Sequence, residues 1–104
     1  MKNRTTAPLE KHLESKIVKW CKDNKFLCIK FTSLSTRGLP DRLIIGGGRV
    51  VFVEIKRKGK KPRKYQEYMI NLMKRKGADV FWCDNFESFE EHMNNGNHIH
   101  RKQT

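Results

Sequence analysis

Asp41, Glu54 and Lys56 stand where a β-hairpin would bring them to one end of a sheet. Two apolar runs, one from Leu43 to Ile45 and one from Val50 to Ile55, are joined by Gly46, Gly47 and Gly48, the pattern of a hairpin turn. With the turn centred between Gly47 and Gly48, Ile45 faces Val50, Leu43 faces Phe52 and Asp41 faces Glu54. Directly opposed residues share a face, and their Cβ atoms lie about 4.5–5.5 Å apart. Lys56, two residues past Glu54, joins that face by the period-2 alternation of a strand. A one-residue bulge at the glycines would break the register. Two adjacent carboxylates repel, and one keeps a proton unless a cation sits between them. Oxygen donors of this kind suit Mg²⁺ or Mn²⁺. A divalent ion there can polarise a phosphoryl oxygen and acidify an attacking water. Lys56 can hold that water or offset charge on a pentavalent phosphate. An Asp, Glu and Lys on neighbouring strands also occur as a plain solvated edge. What favours chemistry is the combination of Gly-x-Pro-Asp, a hairpin, an apolar strand closing on Glu-x-Lys, and a basic segment directly after it.

The elements that must position these residues follow from periodicity. Leu9, Leu13, Ile17 and Trp20 recur at helical spacing, so residues 8–24 read as an amphipathic helix with Pro8 in its first turn. Residues 26–32, with Leu27, Ile29 and Phe31 alternating, read as a strand. The polar stretch 33–40 is a loop, followed by the hairpin. Residues 63–76 place Tyr65, Tyr68, Met69, Leu72 and Met73 on one helical face, read as core, with Gly77 as a C-terminal cap. Residues 79–83 are a further strand. Asp84 with Glu87 reads as an N-cap pair for a last helix carrying Phe86, Phe89 and Met93. The order is α-β-β-β-α-β-α, and the helix between the third and fourth strands implies a parallel, right-handed crossover. Residues 1–94 are expected to form the single domain, and 95–104, with His98 and His100, a disordered tail.

Composition points to the partner. The 104 residues hold 23 Lys+Arg against 11 Asp+Glu, a net charge of +12, which calls for an anionic partner, most commonly nucleic acid. No stretch approaches the ~20 apolar residues of a membrane span, so no membrane is expected, and the N-terminus lacks a signal-peptide run. Cys21, Cys28 and Cys83 are odd in number and without C-x-x-C spacing, so they read as free thiols in a reducing cytoplasm. Residues 56–64 hold seven Lys or Arg in nine positions. As it leaves the strand carrying Glu54 and Lys56, that run is suited to phosphates, each contact adding to the salt dependence of binding. Arg37, on the loop bordering Asp41, can meet the same backbone. Lys74, Arg75 and Lys76 are a second candidate contact or a charged helix end.

The runs from Arg37 to Arg42, from Val51 to Lys56 and from Lys61 to Gln66 together resemble the VRR-NUC family of the PD-(D/E)XK nuclease superfamily, whose small stand-alone members are typical of phages. The resemblance spans roughly residues 10–84. It implies an α/β fold with an αβββαβ restriction-endonuclease-like core, a central mixed sheet flanked by helices. It implies that Asp41 and Glu54 are metal ligands beside the backbone carbonyl of Ile55, that Lys56 is the catalytic lysine, and that Gln66 is the active-site glutamine. The first helix would add a glutamate, Glu14 or Glu10, one turn apart on one face, with Glu14 preferred. Arg37, Arg57, Lys58, Lys60, Lys61, Arg63 and Lys64 would bind DNA. The implied activity is Mg²⁺- or Mn²⁺-dependent cutting of DNA. By kinship, it is similar to that of homodimeric Holliday-junction resolvases acting on branched DNA. A flap or restriction-like nuclease, or a non-catalytic basic binding domain, are the other readings.

Overall fold

A computed structural model describes the backbone of residues 3–30 and 32–103 and the side chains of 10–30 and 32–95. The elements are α1 (Asn3–Asp23), β1 (Leu27–Lys30), β2 (Arg42–Gly46), β3 (Arg49–Ile55), α2 (Lys64–Arg75), β4 (Asp79–Cys83) and α3 (Phe86–Gln103). The order is the one the sequence predicts. α1 begins at Asn3, ahead of the expected start at Pro8. Phe31 and the side chains of 96–104 lie outside the described residues; the backbone of 95–103, where the sequence suggests a disordered tail, belongs to α3.

The four strands lie in the order β1-β2-β3-β4. β2 and β3 pair antiparallel with Ile45 opposite Val50, Leu43 opposite Phe52 and Arg42 opposite Val53, the register the glycines imply. Gly47 and Gly48 both take positive φ, 57° and 77°. Two central residues with φ > 0 match the right-handed twist of the flanking strands, and glycine reaches that region without a Cβ clash. β4 joins β3 in parallel through α2.

One face of the sheet carries the main core. Ile44, Val51, Val53, Ile55, Phe81 and Cys83 meet Leu13, Ile17 and Cys21 of α1 and Phe89 and Met93 of α3. Each fully buried aliphatic side chain contributes about 1.5–3 kcal/mol. The other face is covered less completely. α2 packs against β4 and buries Ile70. Tyr65 and Tyr68 remain 37% and 61% exposed, and Met69, Leu72 and Met73 are half-buried, so the expected apolar face of α2 is largely a surface. At the sheet edge, Phe26, just before β1, and Cys28 pack toward the core while Leu27 and Ile29 of β1 are exposed. At α3 the cap is Asn85, not Asp84: the Ser88 N–H donates to Asn85 Oδ1 at 2.8 Å. Asp84 instead accepts from the Gly59 N–H at 3.1 Å, which ties the basic loop to the end of β4.

Candidate active site

Asp41 lies one residue before β2, where the ladder's register continued by one step sets it opposite Glu54. Glu54 closes a strand that is buried along most of its length and is itself only 7% exposed. Lys56 follows it on the same face, with Nζ 3.3 Å from Glu54 Oε2. Gln66, in the first turn of α2, donates from Nε2 to the same oxygen at 3.0 Å. Its Oε1 accepts from the Arg63 N–H at 2.8 Å, so one side chain caps the helix and fixes the carboxylate. The structure thus brings Asp41, Glu54, Lys56 and Gln66 to one strand end.

The electrostatics of the pair are unfavourable as they stand. Burial first, then repulsion from Asp41, pushes the Glu54 carboxyl above its ordinary range, against the pull of Lys56 and Gln66. Burial and then repulsion from Glu14 do the same to Asp41. Asp41 Oδ1 is fully buried without a hydrogen-bond partner. A buried acceptor left unpaired costs about 1–3 kcal/mol, and a hard cation would relieve both that and the repulsion. Among the described residues no three His, Cys, Asp or Glu side chains already form a closed cage. The groups that could hold such an ion are the two carboxylates, with Ile55, which lines the cavity beside Asp41, as the expected carbonyl donor. Magnesium characteristically keeps several waters, so a sparse protein donor set suits it.

The two helical acids differ in their partners. Glu14 accepts from Arg42 Nη2 at 2.6 Å and Nε at 3.1 Å, a largely buried two-point ion pair. Glu10 has no basic partner among the described residues. With Glu14, Asp41 and Ile55 it lines a cavity of about 260 Å³. With Lys56, Arg57, Lys60, Lys61 and Arg63 it lines a second, of about 220 Å³. Much of the basic segment therefore forms a wall beside the carboxylates. Lys58 and Lys64 are exposed and stand outside that cavity. Arg37 lies on the other side of Asp41, its guanidinium 4.0 Å over the Tyr65 ring.

Three features escape sequence reasoning. Arg42 is bound up with Glu14, and only the packing of α1 on β2 could reveal that. Lys30 joins the Asp41 cavity from β1. Cys28 lies between Cys21 and Arg42: the Cys21 hydrogen bond first, then Arg42, bring its thiol down to about 7 against the effect of burial. All three thiols are free, as expected.

No protein-family model matches the sequence. A solved structure described as a VRR_NUC domain matches with a TM-score of 0.74, covering 82% of this chain and 94% of that one at 23% identity. The chain has the VRR_NUC fold. A curated protein of Acyrthosiphon pisum secondary endosymbiont phage 1, "Putative nuclease p44", is 42% identical over 59 residues, 56% of this chain. The chain spans 59% of that relative's length. In this VRR_NUC fold, Asp41 and Glu54 occupy the open end of the hairpin and the basic segment leads from it into α2. None of the described helices is long and apolar enough to cross a membrane.

Proposed function

We propose that this chain is a divalent-metal-dependent nuclease that hydrolyses phosphodiester bonds in DNA at Asp41 and Glu54. The observation that carries the reading is the unpartnered, buried Asp41 Oδ1 beside a buried Glu54, both held above the ordinary carboxylate range in a protein of charge +12. A pure nucleic-acid binder has no use for converging buried carboxylates in a basic surface. The VRR_NUC fold and the phage relative's name support the same conclusion.

Mg²⁺ or Mn²⁺ on these oxygens and the Ile55 carbonyl would supply Lewis acidity and a more acidic water. The protein's own part is positioning. Gln66 and Lys56 fix Glu54 in one rotamer. The Lys56 ammonium, a mobile point charge with three donors, can orient the attacking water and offset charge building on the phosphate. Arg57, Lys60, Lys61 and Arg63 hold the strand by its phosphates, with Lys58 and Lys64 as outlying contacts. Of the two helical acids, Glu10 is proposed for the site, because Glu14, although near enough to repel Asp41, is already paired with Arg42. Glu14 then acts by holding Arg42 in place next to Asp41.

Branched DNA, four-way junctions among it, is the proposed substrate, and a two-fold homodimer would place two such sites for paired cuts. A cytoplasmic setting, that of the host cell for a phage protein, agrees with the three free thiols. The test compares labelled four-way junction, flap and linear duplex with Mg²⁺, Mn²⁺ or EDTA, alongside solution mass. Metal-dependent products from the branched substrates support the reading. Equal cutting of linear DNA would remove the junction preference, and binding without cutting in any metal would leave a non-catalytic binding domain.

A further inference from the structure

Beside Asp41, on the side away from the basic segment, lies a recess of about 270 Å³ whose walls include Thr32, Thr36, Arg37, Asp41, Tyr65 and Gln66. Its shape is fixed by two local constraints. Ser33 Oγ accepts from the Thr36 N–H at 3.0 Å, closing a turn in the loop. Gly38 has φ +90°, and a Cβ there would lie 2.9 Å from the Tyr65 carbonyl oxygen, so the loop sits against the first turn of α2 with no room between. Between Ser33 and Thr36, Leu34 stands fully exposed at 101%. A lone exposed leucine carries no meaning by itself. On the loop that walls a recess opening on Asp41 and Gln66, it has an available role.

We propose that this loop and the start of α2 form a subsite for one unpaired nucleotide next to the scissile phosphate, with Leu34 as the wedge that parts it from its stack. The inference rests on the nuclease reading of the Asp41 site. One face of the Arg37 guanidinium lies on Tyr65, and the other is available to a base, since bases stack on both aromatic rings and guanidinium planes. The Thr32 and Thr36 hydroxyls can each donate or accept, so they satisfy base edges without selecting one base. A base inside a duplex has both faces covered by its neighbours. Only a nucleotide already unpaired, or forced out of the stack, can enter. Apolar wedges such as leucine are the side chains that open base steps in this way.

The test uses the full chain in EDTA, so that binding is read apart from cutting. The probes are a forked duplex with 2-aminopurine at the branch point and a blunt duplex of equal length. The wild type should bind the fork more tightly and change the 2-aminopurine emission. Leu34→Ser, on a fully exposed side chain, and Arg37→Lys, which keeps the charge and loses the plane, should each lower the preference about fivefold or more, the lower end of what one stacked base contributes. Blunt-duplex affinity should stay within about twofold in Leu34→Ser. Equal wild-type affinity for both probes, or an unchanged preference in both variants, overturns the proposal. A change of solution mass in Leu34→Ser with fork preference intact also overturns it, by assigning Leu34 to a protein interface. Absence of wild-type cutting in a parallel Mg²⁺ or Mn²⁺ reaction, with fork preference retained, would overturn the nuclease reading and leave the recess as a fork-binding feature alone.

Discussion

Asp41→Ala should make the metal-free protein more stable while abolishing its chemistry. The side chain has one buried oxygen with no partner, and it faces repulsion from Glu14 and Glu54. Removing such an unpaired acceptor recovers about 1–3 kcal/mol, from which one lost hydrogen bond to its own backbone subtracts about 1 kcal/mol. The net gain, about 1 kcal/mol, corresponds to a rise of about 4–8 °C in Tm for a domain near this size. The pH dependence has a definite sign. Both carboxylates have folded values raised above 3.8 and 4.5, so their contribution is most favourable below those unfolded values. It is lost as pH rises through the folded values, so the advantage of the variant grows over that rise. Metal reverses the order. An ion bound only by the folded wild type at a concentration of about 100 Kd adds about 2.7 kcal/mol, and Asp41→Ala should gain far less. Thermal melts of both proteins in EDTA and in Mg²⁺ at pH 7 give the four values needed. A variant less stable than wild type in EDTA, or one stabilised equally by Mg²⁺, would refute the argument.

Other substitutions probe separate parts of the account. Glu10→Gln should leave stability within about 0.5 kcal/mol and remove most cutting. Glu14→Gln, by breaking a largely buried ion pair, should cost about 1–2 kcal/mol in denaturant titrations, between the values for exposed and buried pairs. At the opposite end of the sheet, hydrogen bonding from His92 first, then Arg49, holds Asp79 below its ordinary range. That stabilisation is present above the unfolded value of 3.8 and lost as pH falls through the lower folded one, so Asp79→Asn should flatten the acid limb of a stability–pH profile. Lys25 sits at φ 64° in the turn after α1, and Lys25→Gly should raise stability by about 1 kcal/mol, read from the urea midpoint.

Much of the fold was legible because local rules here agree with the global arrangement. The Gly47–Gly48 turn admits one register, and that register alone set Asp41 opposite Glu54. Periodicity also found α2, but it reports which residues share a face and not whether anything covers it. Tyr65 and Tyr68 therefore read as core, whereas α2 packs chiefly on β4 and leaves them at the surface. The exposed Leu27 and Ile29 of β1 show the same limit at a sheet edge. Glu10 and Glu14 lie on one helical face by spacing. What separates them is Arg42, a residue 28 positions from Glu14, and no local pattern reports that contact. The misplaced cap had a smaller cause: Asp84 and Asn85 are both competent caps, and Asp84 is engaged by Gly59.

The most direct test of a metal-dependent nuclease centred on Asp41 and Glu54 is single-turnover cleavage of an end-labelled four-way junction in Mn²⁺, wild type beside Glu54→Gln. Glu54→Gln keeps the size of the side chain and its capacity to accept a hydrogen bond while removing the charge. Discrete wild-type products that vanish with EDTA, no products from Glu54→Gln, and junction binding within a few-fold for both proteins are expected. Products from Glu54→Gln at the wild-type rate, or wild-type cutting that persists in EDTA, would contradict it.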